Sequence, residues 1–81
     1  MEKIGEIIKD FNEDIEIFDE NWINIHIIVD KTKEILENDY EIKEMNWNNF
    51  TIIYKNNEYF IERIAFPNGS SKYLIKKLIY E

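Results

Sequence analysis

Seventeen carboxylates against one histidine and no cysteine bound the chemistry open to this 81-residue chain. With His26 as the single imidazole, a metal would have to be held by carboxylates, which suit magnesium or calcium. The densest acidic run, Glu13, Asp14, Glu16, Asp19 and Glu20, has no glycine at the sharp turn a calcium loop requires, and its spacing is wrong for one. It reads as a solvated loop, and no metal site is expected. Ser70, Ser71, Thr32 and Thr51 are the only hydroxyls besides the tyrosines, and no Gly-x-Ser-x-Gly surrounds the serines. His26 alternates with Trp22, Asn24 and Ile28, so it reads as a ring packed against an aromatic rather than as a base. Gly5 and Gly69 stand alone, which excludes a phosphate cradle. No catalytic residue, metal or cofactor is expected, and the chain reads as a non-enzyme.

Charge is the remaining clue. Residues 1–44 hold fourteen acids against five lysines, and residues 45–81 hold three acids against five bases, within a net charge of −7. Trp22, Trp47, Tyr54, Tyr59 and Phe60 are aromatic enough to stack bases. Stacking without a basic surface gives little affinity, because phosphate neutralisation supplies most of it. The one basic cluster, Lys72, Lys76 and Lys77, reads as a solvated helix face, so direct nucleic-acid binding is not expected. An acidic half instead attracts a basic protein surface and speeds its approach.

The candidate partner-binding residues are therefore Glu13, Asp14, Glu16, Asp19, Glu20, Glu37, Asp39, Glu41 and Glu44, with Trp22 or Trp47 as an apolar anchor. In size, charge and missing chemistry the chain resembles small acidic inhibitors. These are phage anti-defence proteins of the anti-CRISPR kind, which block host nucleases, and immunity proteins, which neutralise a toxin. That likeness implies a basic partner, a nuclease or other nucleic-acid-binding protein, whose basic surface the domain would occupy. The alternative is a structural or assembly module, possibly a homodimer whose acidic and basic halves meet across an edge strand.

The elements that must position these residues form one small α+β domain over residues 1–81. At 44% hydrophobic and 15% aromatic, with only two glycines and one proline, the chain folds by packing alone. No apolar run approaches the roughly 18–20 residues of a membrane span. Residues 1–5 lack the pattern of a signal peptide, so a cytoplasmic location and no membrane partner are expected.

Ile4, Ile7, Ile8 and Phe11 recur at i, i+3, i+4 and i+7, predicting a helix over 2–11. Residues 14–18 and 22–29 alternate as strands, predicting a hairpin through Asp19-Glu20-Asn21. Asp30 or Thr32 is then placed to cap a short second helix reaching about Asn38. Strands are predicted over 40–46, 50–55 and 58–66, with Asn48-Asn49 and Asn56-Asn57 as turns that tolerate positive φ. The last of them has two partly apolar faces and reads as a central strand covered on both sides, where Arg63 must find water or an acid.

Leu74, Ile75, Leu78 and Ile79 sit at helical spacing and predict a helix over about 71–80. The rival is a strand returning through the Asn68-Gly69 turn. The expected order is α-ββ-α-βββ-α, with four to five antiparallel strands and two to three helices.

Overall fold

The isoleucine stripe at the N-terminus produces the helix its spacing predicts. In the computed structural model, which describes residues 3–79, α1 (Lys3–Lys9) buries Ile4 and Ile8 completely. Its last turn closes with Asp10 N–H donating to the Glu6 carbonyl at 3.1 Å. Residue 2 of the predicted helix lies outside the described residues. Phe11 follows the helix and meets the Tyr59 ring with centroids 5.1 Å apart.

The largest departure from expectation is at residues 22–29, which are not a strand. Residues Ile25–Leu36 form the helix α2, and its buried set is Ile25, Ile28, Val29, Thr32 and Leu36. That set has helical spacing, which coexists in the sequence with the alternation of isoleucines that suggests a strand. Ile27, on the supposed buried side, is about half exposed. The cap is Asn24, whose Oδ1 accepts from His26 N–H at 2.8 Å, and not Asp30 or Thr32. Thr32 lies mid-helix, and its buried hydroxyl donates to the Ile28 carbonyl at 2.8 Å. His26 falls in the first turn and is exposed, so it is not the packed ring expected.

The strands are β1 (Ile15–Asp19), β2 (Tyr40–Met45), β3 (Asn49–Tyr54), β4 (Asn57–Ala65) and β5 (Ser71–Leu78), in the antiparallel sheet order β1-β5-β4-β3-β2. The C-terminal segment is thus a strand. The Asn68-Gly69 turn wins, with Gly69 at φ 89 and its N–H donating to the Phe66 carbonyl at 3.0 Å. Residue 80 of the predicted helix lies outside the described residues. Lys72, Lys76 and Lys77 do not share a face, since alternation along β5 sends Lys77 to the side opposite the other two. The β1 strand pairs with β5, Ile15 opposite Ile75, and not with residues 22–29. The observed order is α-β-α-ββββ.

Positive φ appears at Lys55 and Asn56, the two residues that join β3 to β4, as a tight hairpin of primed type requires. At Asn48 and Asn49 it does not. There the turn closes through Asn46 N–H donating to the Asn49 carbonyl at 2.8 Å, with the two side chains bonded at 2.9 Å.

Both helices lie on one face of the sheet. Ile4, Ile8, Ile25, Ile28, Val29 and Leu36 pack there against Phe50, Ile52, Tyr54, Tyr59, Ile61, Tyr73 and Ile75. The central strand β4 is therefore covered on one side only, and on the other Phe60 and Glu62 are half-buried while Ile64 is exposed. Charged and apolar side chains alternate over that open face, with ion pairs Lys43–Glu58 at 3.0 Å and Lys72–Glu16 at 3.3 Å. No helix among the described residues is long and apolar enough to cross a membrane.

Candidate functional site

Arg63 on β4 points into the covered face and is 3% exposed. Among the described residues no carboxylate forms an ion pair with it. Its guanidinium donates to the Ile23 carbonyl and, at 2.6 Å, to the Trp47 carbonyl, while lying 4.6 Å from the Trp22 ring centroid. Its backbone N–H also donates to the Asn48 carbonyl at 2.7 Å. One side chain thus ties the β1–α2 loop and the β2–β3 turn to the central strand. The planar fork of an arginine suits two carbonyls that approach from different loops.

The consequence is that Trp22 and Trp47, 25 residues apart in sequence, line one small pocket with Asn24, Ile25, His26 and Arg63. Trp22 is 50% exposed and Trp47 73%. Phe66 and Phe18 add to this end of the sheet, their rings 6.1 Å apart on the open face, with Phe18 65% exposed. Exposed aromatics gathered at one end of so small a domain are an unusual concentration.

The eleven candidate residues do not form one surface. Asp19, Glu20, Trp22 and Trp47 belong to the aromatic end. Glu13, Asp14 and Glu16 lie along or before β1 at one edge, and Glu37, Asp39, Glu41 and Glu44 lie along or before β2 at the opposite edge. The registers set Glu16 level with Glu62 and Glu41 level with Glu58, four residues apart on β4. At about 3.3 Å per residue and about 4.8 Å per strand, four strand spacings and that offset put the two acidic groups on the order of 20–25 Å apart.

Some of these acids also have local work. Asp14 Oδ1 accepts from Lys77 N–H at 3.2 Å, Asp19 Oδ1 from Asn21 N–H at 2.9 Å, and Glu16 pairs with Lys72. Glu37 is held at φ 65, ψ −62, with Asn38 N–H donating to the Leu36 carbonyl at 2.7 Å, a strained γ-turn that ends α2. Among the described residues, no three His, Asp or Glu side chains are grouped to hold a metal ion.

Beside Arg63, Tyr73 is fully buried; among the described residues its hydroxyl, the Arg63 Nε and the Ser71 Oγ make no well-formed hydrogen bond, although Arg63 and Ser71 both lie near the hydroxyl. Burial pushes the Tyr73 phenol above its ordinary value, and the adjacent guanidinium only partly opposes this. Tyr59 is raised too, first by burial and then by Tyr54. A raised phenol keeps its proton longer in the folded chain than in the unfolded one. The stability it carries is whole below about pH 10 and falls as pH rises beyond that. Tyr73→Phe is expected to leave stability at pH 8 unchanged or slightly higher, because an unsatisfied hydroxyl is removed. It should also make the loss between pH 10 and 11.5 shallower, with Tyr59 responsible for part of the remainder. Urea unfolding at both pH values decides it. A loss above about 2 kcal/mol at pH 8 would mean the hydroxyl has a partner.

No protein-family model, curated protein or solved structure matches this chain.

Proposed function

We propose that the domain is a non-catalytic, stoichiometric inhibitor of a basic, nucleic-acid-handling protein, of the anti-defence or immunity kind. It acts by covering a basic surface. The observation that carries this reading is the aromatic end. Trp22 and Trp47 are exposed, Arg63 lies against the Trp22 ring and holds the Trp47 backbone carbonyl, and Asp19 and Glu20 stand beside them. A preorganised tryptophan pair loses little entropy on docking, and tryptophan is enriched where binding energy concentrates. The acids beside it supply attraction at long range.

The same geometry weighs against a nucleic-acid partner. The chain's one arginine is buried with Nη1 and Nη2 bonded to carbonyls, Lys72 is paired with Glu16, and Lys77 faces the other way. The other lysines are scattered among an excess of acids, so a phosphate backbone would meet no concentrated basic surface.

The test is capture of the partner from the source cell, followed by binding kinetics. Trp47→Ala should speed dissociation at least tenfold and leave association nearly unchanged. Glu13→Lys with Glu20→Lys, chosen because both are exposed, should slow association at least tenfold at low salt. That difference should vanish as the Debye length shrinks from about 10 Å at 0.1 M to about 3 Å at 1 M. Kinetics indifferent to both changes, or a captured protein with an acidic surface, would sink the reading.

A further inference from the structure

The two edges of the sheet are not equivalent. On β2 the register slips between Ile42 and Glu44, leaving Lys43 as a bulge, and Glu41 and Glu44 are exposed. Bulges and charges are the usual defences of an edge against a further strand. On β1 the pairing runs from Ile15 to Asp19 without a break, and its outer side has no neighbouring strand among the described residues. Every second residue of such a strand directs its N–H and C=O away from the sheet. Beside this edge, α1 and β1 bound a groove of about 650 Å³. Ile7, Ile15 and Ile17 form its apolar wall, and Glu6, Asp10 and Glu16 its rim.

We propose that β1 is a docking edge for an extended basic segment of another protein, which adds a sixth antiparallel or parallel strand beside it. Side chains alternate along a strand, so a segment alternating apolar and basic residues fits both sides at once. Its apolar residues rest on Ile7, Ile15 and Ile17. Its lysines or arginines project to the open face, where they share Glu16 with Lys72, while Glu6 and Asp10 attract the positively charged segment from the α1 side. Charge decides against a second copy as the occupant. Two β1 edges across a two-fold axis would set these acids against one another, and on β2 the one lysine, Lys43, is paired with Glu58 and flanked by Glu41 and Glu44. The assignment concerns a surface separate from the Trp22–Trp47 pocket, and it stands whether or not that pocket binds a protein.

The probe is a capped octapeptide alternating lysine with valine or isoleucine, titrated into the labelled protein and followed by amide NMR. Shifts should centre on residues 6–18, and exchange of the outward β1 amides should slow at least tenfold. Two comparators separate strand addition from plain charge attraction. Methylating every second backbone nitrogen of the peptide, on the side that would pair with β1, should abolish binding. Glu6→Lys with Asp10→Lys, both exposed, should weaken it at least tenfold. Trp47→Ala should bind the peptide unchanged, which keeps this result independent of the tryptophan end. Equal binding of the methylated peptide, or no binding by either, overturns the proposal. So does protection of β1 amides that grows with protein concentration in the absence of peptide, because a second copy then holds the edge.

Discussion

Replacing Arg63 by leucine is expected to cost the domain about 3 kcal/mol, a large share of the roughly 4–12 kcal/mol that a chain of this length holds. Leucine keeps the apolar bulk but removes both donors. The carbonyls of Ile23 and Trp47 lose charge-assisted bonds, each contributing about 1.5–3 kcal/mol in comparable settings. The Trp22 ring loses its cation at 4.6 Å, at about 0.5–2 kcal/mol. Against this stands the relief of a buried charge that has no carboxylate beside it. Relief is the smaller effect, because the guanidinium already replaces water with two carbonyls and an aromatic face.

The sum of the parts overstates the net effect, since all three contacts are made by one group. A fall of roughly 12–24 °C in Tm follows from about 4–8 °C per kcal/mol. Near-ultraviolet circular dichroism from both tryptophans should weaken well before the fold is lost. Arg63→Lys should recover less than half, because an ammonium cannot span two carbonyls in one plane. A cost of under 1 kcal/mol for Arg63→Leu would show that the loops hold themselves.

The α1 helix, the β2–β3–β4 meander and the Phe50, Ile52, Tyr54 face were legible in the sequence, because each rests on local periodicity or on a short turn. Residues 22–29 are ambiguous to a local reading because Ile-His-Ile-Ile-Val satisfies both periods. The deciding signal was Asn24, a cap placed just ahead of Ile25, Ile28, Val29, Thr32 and Leu36. The C-terminal segment was a similar contest, won by the turn chemistry of Asn68-Gly69. The partner of β1 was invisible for a different reason. Ile15 pairs with Ile75, sixty residues on, and no local pattern encodes such a contact.

The site followed the same division. Trp22 and Trp47 were legible as candidates, but their meeting depends on Arg63, 40 residues from Ile23 and 16 from Trp47. The acids that cluster in the first half of the chain are carried to opposite edges by α2. At about 1.5 Å per residue its 12 residues extend about 18 Å, close to the breadth of the five strands.

The second large effect opposes helix propensity. Gly5 lies inside α1, where alanine would by propensity alone add about 1 kcal/mol. A methyl group there would sit 2.7 Å from Ile35 Cβ and 3.0 Å from its Cγ2 and Cδ1. Ordinary carbon contacts lie at about 3.5–4.0 Å. The nearest atom is the branch point of a β-branched side chain, one bond from the α2 backbone, and its rotamer in a helix is nearly fixed. It cannot swing away, so the two helices must separate, at about 1–3 kcal/mol for overpacking of this kind. With the propensity gain set against it, Gly5→Ala is therefore expected to lower stability by about 1 kcal/mol in urea unfolding. In an Ile35→Gly background the same change should turn stabilising, because the opposing Cβ is gone and only propensity remains. A double-mutant cycle reads the reversal directly. The displacement also moves Ile7, one wall of the groove beside β1, so Gly5→Ala should weaken the octapeptide in a protein that is still folded. If alanine stabilises the native background as well, α1 and α2 are not held at the separation described, and Ile7 is free of Gly5.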